Sequence, residues 1–169
     1  MTSSAISRDS SALDAGTLGV VEHLHVAEEA GAPMVARDRV TALAGIGLEG
    51  DRYAARRGHW SPIARRGDQL TLVEAEVVES LHASGFALAP GATRRNVTTR
   101  GVGLDELIGR RFRVGGALLV GVRRCEPCSY LEGLLDLPVM IPLVHRAGIR
   151  AEVVEGGEIA VGDPIRVDE

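Results

Sequence analysis

Alternation of apolar and polar residues, the pattern of half-buried strands, recurs in short stretches along the chain. Residues 17–26 alternate imperfectly, with Val20, Leu24 and Val26 on one face and His23 and His25 on the other, and this predicts a first strand. Further strands are expected at 39–43, 96–99, 149–154 and 159–167, and a hairpin that turns at two glycines is expected at 112–122.

Helical spacing is clearest in the middle of the chain. Val73, Val77 and Leu81 form one apolar stripe, and Thr71 with Glu74 has the spacing of a capping box, in which each residue bonds the other's backbone at the start of a helix. We therefore expect helices at 71–84 and 129–137 and a single helical turn at 104–108.

The segment before the first predicted helix, residues 45–68, is rich in glycine and charge. We interpret it as a long irregular loop, and such loops in compact domains often carry function. Many short strands and two modest helices predict a mainly β fold, a small barrel with a few peripheral helices. No linker or repeat interrupts residues 17–169, which we interpret as one domain after a disordered lead-in at 1–16.

Composition narrows the function classes. The 169 residues are 45% hydrophobic but only 3% aromatic, so Val, Leu, Ile and Ala must build the core. A net charge of −4 argues against a nucleic-acid-binding domain. All 19 basic residues other than histidine are arginines, which excludes a P-loop lysine and the lysine that pyridoxal phosphate needs for a Schiff base.

No apolar run reaches the length of about 18 residues that a membrane span needs. The first 16 residues also lack the apolar stretch of a signal peptide. We therefore expect a cytoplasmic protein without a membrane partner.

Residues 45–50 match the glycine pattern of dinucleotide-binding loops, G-x-G-x-x-G. That pattern must open a helix whose N-terminus holds the pyrophosphate. No apolar stripe follows here, so we favour a bent loop that carries polar groups toward a cleft.

Arginine pairs recur in the loops and could converge on an anion, because guanidinium groups bind oxyanions through two hydrogen bonds. The alternative is a solvated surface. The best anion-binding candidate is the segment 91–96, which contains Arg94, Arg95 and Asn96. The pairs lie at 56–57, 65–66, 94–95, 110–111 and 123–124.

The two cysteines, Cys125 and Cys128, form a single CxxC. A structural zinc site needs four ligands, and the sequence has no second pair of cysteines to complete one. Two other interpretations of the CxxC remain open: a redox dithiol, and two buried structural thiols. Cys128 is the better candidate for reactivity, because a predicted helix follows it. The helix dipole and the nearby Arg123 and Arg124 would favour its thiolate, the form that attacks sulfur or binds a soft metal.

His23 and His25 could form half of a metal site on the first strand. A solvent-facing polar edge is the interpretation that we favour, because the sequence identifies no further ligands.

Six segments in order resemble the MOSC domain, the module found at the C-terminus of molybdenum-cofactor sulfurases, in its free-standing bacterial form. The resemblance covers about residues 17–167. The segments are GLEGDR at 47–52, GDQLTL at 67–72, PGATRRN at 90–96, LIGRRFRVG at 107–115, CEPC at 125–128 and GIRAEVVEGGEIAVGD at 148–163.

The resemblance implies a barrel similar to the inserted barrel of pyruvate kinase, with a cleft for the molybdenum cofactor, a phosphate-bearing pterin whose dithiolene binds the metal. It implies that Cys128 binds molybdenum or carries sulfur. The family's Arg-x-Asn element maps onto Arg94 and Asn96, and its Gly-Asp-Arg element ends at Arg52. We expect Arg52 and Arg94 to hold the phosphate and pterin, and Asn96 to orient the loop or bond the pterin.

Three functional hypotheses follow. The first is a molybdenum-cofactor-binding protein that transfers sulfur or reduces N-hydroxylated compounds, with a separate protein as sulfur or electron donor. The second is a dithiol redox or zinc-binding module, in which Cys125 shares the role of Cys128. The third is a non-catalytic carrier of sulfur or cofactor.

Overall fold

Within the described residues, 16–63 and 65–168, seven strands close into a barrel in this computed structural model. The strands of the described residues are β1 (Thr17–Val26), β2 (Val35–Arg37), β3 (Arg39–Leu43), β4 (Gly47–Leu48), β5 (Leu70–Glu74), β6 (Val97–Arg100), β7 (Arg111–Val114), β8 (Ala117–Arg124), β9 (Ile149–Glu155), β10 (Gly157–Ala160) and β11 (Pro164–Val167). The order of the barrel strands is β11-β7-β8-β9-β5-β6-β1, and β1 pairs with β11 to complete the ring.

Neighbouring barrel strands are antiparallel except for β5 and β6, which run parallel. Strand β2 extends the sheet beyond β1, and β10, β3 and β4 form a second, three-stranded sheet. The mainly β, barrel-like fold is therefore confirmed. The expected lead-in, 1–16, lies outside the described residues except for Gly16.

The barrel interior is filled with aliphatic side chains around one aromatic ring, that of Phe112. A second apolar cluster lies between the helices and includes Leu81, Leu131, Val139 and Leu143. The helices are α1 (Ala75–Ala83), α2 (Ser129–Leu135) and α3 (Met140–Leu143), with a 3-10 turn at Leu104–Leu107. In the part of the chain described, no helix has both the length and the apolar character to cross a membrane.

The predicted helix at 71–84 is wrong in its first turn. Leu70–Glu74 forms β5, so Thr71 and Val73 belong to the barrel wall and there is no capping box. Thr71 instead bonds Asn96 on the neighbouring segment. The spacing of a short, fully buried apolar run fits a strand and a helix equally well. Here the pairing of this segment with β6 and β9 makes it a strand.

Two further predictions are corrected in detail. The expected strand at 159–167 is two strands, because Asp163 accepts a hydrogen bond from the Ala160 backbone (2.8 Å) and turns the chain. Strand β10 then pairs with β3 instead of continuing along the barrel. The glycine pattern at 45–50 includes the short strand β4 and opens no helix, as expected for a bent loop.

Candidate functional site

A cavity of about 260 Å³ lies where several loops meet the ends of β8 and β9. Three of the chain's five aromatic residues and both of its cysteines line it. So do seven arginines of the described chain, which makes the lining strongly cationic: Arg52, Arg65, Arg94, Arg95, Arg123, Arg124 and Arg150.

Both cysteines border this cavity, but they differ in burial. Cys125 follows β8 and is 2% exposed, and its backbone N–H donates to the Gly148 carbonyl (2.8 Å). Cys128 is half-buried, directly before α2, and packs partly against the second apolar cluster. Both thiols are free, and the Cys128 residue is the more accessible of the two.

The segment that carries the cysteines is fixed at two points. Arg95 is buried and donates to the carbonyl oxygens of Cys125 (2.9 Å) and Ala147 (2.8 Å). Glu126 accepts bonds from the backbone N–H and the ring Nδ1 of His145, both at 3.0 Å. Although desolvation opposes it, these bonds hold the pKa of Glu126 below its ordinary value. The CxxC is therefore held in place before any ligand binds.

Arg94 occupies the left-handed backbone region, with φ of 61°. One guanidinium nitrogen, Nη1, donates to the Ala32 carbonyl (2.7 Å), whereas Nη2 is buried and has no partner among the described residues. Burial first, and then repulsion from Arg52, lowers the pKa of Arg94. A buried donor without a partner is costly, so this nitrogen is suited to an anionic ligand.

Arg52 holds the backbone of Arg94 in place. It is 4% exposed and forms a buried ion pair with Asp51 (3.1 Å). Its Nη2 donates to the Arg94 carbonyl oxygen (3.1 Å). Asp51 in turn accepts the backbone N–H groups of Ala27 (3.0 Å) and Tyr53 (3.2 Å). Arg52 therefore fixes the conformation of Arg94 as well as lining the cavity.

Residues 57–166 match the family of the MOSC domain. This chain belongs to the MOSC domain family. The match covers well over half of the chain and includes Arg94, Asn96 and both cysteines, whereas Arg52 lies before it.

Solved structures of other proteins share the fold. The YuaD protein from Bacillus subtilis is 21% identical with a TM-score of 0.73, over 88% of this chain and 94% of that one. YiiM from Escherichia coli is 20% identical with a TM-score of 0.58, over 87% of this chain and 70% of that one. YiiM from Geobacillus stearothermophilus is 19% identical with a TM-score of 0.58, over 90% and 74%. No curated protein matches the chain.

The four predicted site residues of this MOSC domain fall in two places. Arg52, Arg94 and Cys128 line the cavity together. Asn96 is fully buried in the barrel wall, where its Oδ1 accepts the Thr71 backbone N–H (3.1 Å) and its Nδ2 donates to the His25 carbonyl (3.1 Å). Asn96 therefore ties the Arg94 loop to β5 and β1.

The sequence does not single out several residues of the site as candidates. Arg150 and Asp68 meet Arg123 only because β8 and β9 pair and the 65–68 loop crosses them. The rings of His59 and Tyr130 stack at 3.7 Å, 8° from parallel, and Trp60 meets His59 edge-on. His59 and Trp60 are adjacent in the sequence, but Tyr130 lies far from both, so spacing could not find the stacked pair.

The expectation of a solvent-facing edge at His23 and His25 is wrong for His25. Its ring is 4% exposed and Nδ1 has no partner in the described residues. A β-bulge between Val21 and His23 disturbs the strict alternation of the strand. In the described parts of the chain, no three His, Cys, Asp or Glu side chains are grouped to bind a metal ion.

Proposed function

We propose that this MOSC domain binds the molybdenum cofactor in the arginine-lined cavity and uses the Cys128 sulfur as a metal ligand or sulfur carrier. One observation carries the proposal: the more accessible cysteine shares a cavity with seven arginines of the described chain. Thiolate is a soft ligand that suits such metals, and guanidinium groups suit phosphate.

The residues of the cavity fit this group. Arg94 Nη2 and Arg150 Nη1 are buried donors without hydrogen-bond partners among the described residues, and both side chains line the cavity. Buried polar groups normally have hydrogen-bond partners. An anionic ligand that accepts from these two nitrogens would therefore lower the free energy of the site. The residues that the structure describes hold no group of three or more His, Cys, Asp or Glu side chains that could bind a metal ion, which favours a metal that arrives already held by its own dithiolene.

Each residue has a role that its surroundings suit. Arg94 would bind the phosphate or pterin, Arg52 would hold Arg94 in its left-handed conformation, and Asn96 would anchor the same loop. The cofactor would supply a redox-active metal. Cys128 would present its sulfur, either to that metal or as a persulfide in transit to an acceptor.

Two kinds of chemistry are open to such a site. One is sulfur transfer, and the other is reduction of N-hydroxylated compounds, which requires electrons from a separate redox protein. The described chain offers two cysteines, too few for an iron–sulfur cluster of its own. We therefore expect a partner protein as sulfur or electron donor, and a small-molecule substrate.

The test is cofactor retention in protein purified from a host that makes the cofactor. Molybdenum content and pterin fluorescence should both fall sharply in Cys128→Ser and in Arg94→Gln. Arg39→Gln is the matched control, because Arg39 forms an exposed ion pair with Glu158 and lies outside the cavity lining. Wild-type retention in both Cys128→Ser and Arg94→Gln would contradict the proposal.

A further inference from the structure

Two arginines face each other across the β8–β9 pair at the cavity. Arg123 and Arg150 are register partners on these strands, and both line the cavity. Like charges directly opposite each other across a strand pair are destabilising. A negative group against such a pair offsets this repulsion.

The nearest negative group is a single carboxylate, that of Asp68. Its Oδ1 lies 3.2 Å from Arg123 Nη2 and 3.6 Å from Arg150 Nη1. Arg150 is 7% exposed, and its Nη1 makes no hydrogen bond within the described residues. Burial and then repulsion from Arg150 lower the pKa of Arg123. One carboxylate thus faces two guanidinium groups, and one of these is buried and incompletely paired.

Asp68 is held there by its own loop. The Gly67 backbone N–H donates to Glu152 (2.9 Å), and Gln69 Oε1 accepts the Val153 backbone N–H (2.8 Å). Gly67 has φ of +83°, and a Cβ there would lie 3.1 Å from the Cβ atoms of Val122 and Arg150. Glycine therefore lets the loop lie close enough to the strands for Asp68 to reach the arginines.

We propose that Arg123 and Arg150 form an anion subsite, separate from Arg94, that takes a tetrahedral oxoanion of the phosphate or sulfate type. Asp68 is the internal competitor that neutralises part of the subsite when the oxoanion is absent. Two guanidinium groups provide the paired donors that such oxoanions accept. The oxoanion is either the phosphate of the cofactor or an anionic group of the substrate.

The first experiment uses the full chain without cofactor and titrates inorganic phosphate and sulfate by calorimetry. The fluorescence of Trp60, the only tryptophan and a lining residue, provides a second readout. Arg123→Gln should weaken binding by about tenfold, the effect of losing one charge-assisted hydrogen bond. Asp68→Asn should strengthen binding severalfold, because it removes the competing charge.

Two controls keep the outcome interpretable. Arg123→Lys keeps the charge and should bind more tightly than Arg123→Gln, while Arg39→Gln should bind as the wild type does. The proposal is overturned if the wild type and Asp68→Asn both fail to bind either anion at millimolar concentration. It is also overturned if Asp68→Asn binds more weakly than the wild type, or if Arg123→Gln binds equally well.

A second arm identifies the source of the oxoanion in cofactor-loaded protein. Phosphate binding that persists beside the cofactor, and is still weakened by Arg123→Gln, assigns the subsite to the substrate. Competition between cofactor and phosphate, with cofactor loss in Arg123→Gln, assigns it to the cofactor's own phosphate. The first arm needs no cofactor, so failure of the cofactor proposal leaves this test intact.

Discussion

The cavity has two cationic walls that balance their charges in opposite ways. The loop wall consists of Arg52 and Arg94 together with Asp51, which lies outside the cavity lining and pairs with Arg52, and the strand wall consists of Asp68, Arg123 and Arg150. In the loop wall, Asp51 is 1% exposed and accepts three hydrogen bonds, one of them from Arg52. Arg52 in turn donates to the Arg94 carbonyl. In the strand wall, one carboxylate is divided between two guanidinium groups.

The loop wall mainly stabilises the fold, whereas the strand wall keeps positive charge that can bind a ligand. Most of the loop wall's donors are used internally, so it is stable but offers a ligand little beyond one Arg94 nitrogen. The strand wall keeps positive charge that its own carboxylate does not fully neutralise. We therefore expect substitutions of Asp51 and Arg52 to affect folding first, and substitutions of Arg94 and of the strand wall to affect anion binding first.

The largest effect should come from Asp51→Ala. Removing one partner of a buried ion pair leaves an uncompensated charge, so the free energy of unfolding should fall by about 3–5 kcal/mol. The strand-wall counterpart, Asp68→Asn, should cost about 1 kcal/mol, as for a partly exposed pair. Urea unfolding measures both. Equal losses would remove the distinction between the two walls.

A smaller effect is expected from Gly67→Ala in the loop that carries Asp68. The left-handed conformation and the contacts of a new Cβ with Val122 and Arg150 should cost about 1–3 kcal/mol in the free energy of unfolding. Thermal unfolding measures this loss. Gly85→Ala is the matched control, because Gly85 has a similar φ of +94° but open space around it. A loss no greater than that of the control would show that the loop does not need this close approach.

The smallest effect concerns the pH dependence of the free energy of unfolding, which His25 should influence. The His25 ring packs against Gly91, and burial, together with the neighbouring His23, lowers the pKa of His25. As the pH falls through about 6.5, His25 becomes protonated in the unfolded state but stays neutral in the folded state. The free energy of unfolding therefore falls below about pH 6.5. His25→Gln should flatten the unfolding free energy between pH 7 and 5.5. An unchanged slope would assign the pH dependence to other groups.

Local patterns predicted much of the barrel and little of its chemistry. The hairpin at Gly115 has a strong short-range signal and residues 17–26 have an imperfect alternation, and both elements are confirmed. The helix expected from Thr71 is a strand up to Glu74, because a buried strand with apolar residues at helical spacing resembles a helix. Arg150 and Asp68 could not be found, since their meeting depends on strand register and on a loop crossing two strands.

Under the proposed function, the Cys128 sulfur, rather than the CxxC pair as a unit, binds the metal or carries the transferred sulfur. Native mass spectrometry of protein from a cofactor-making host tests this most directly, with Cys128→Ser and Cys125→Ser compared in parallel. We expect the wild type and Cys125→Ser to carry the mass of the cofactor or of one extra sulfur atom, and Cys128→Ser to lose it. Equal loss in both variants, or retention in Cys128→Ser, would contradict the claim.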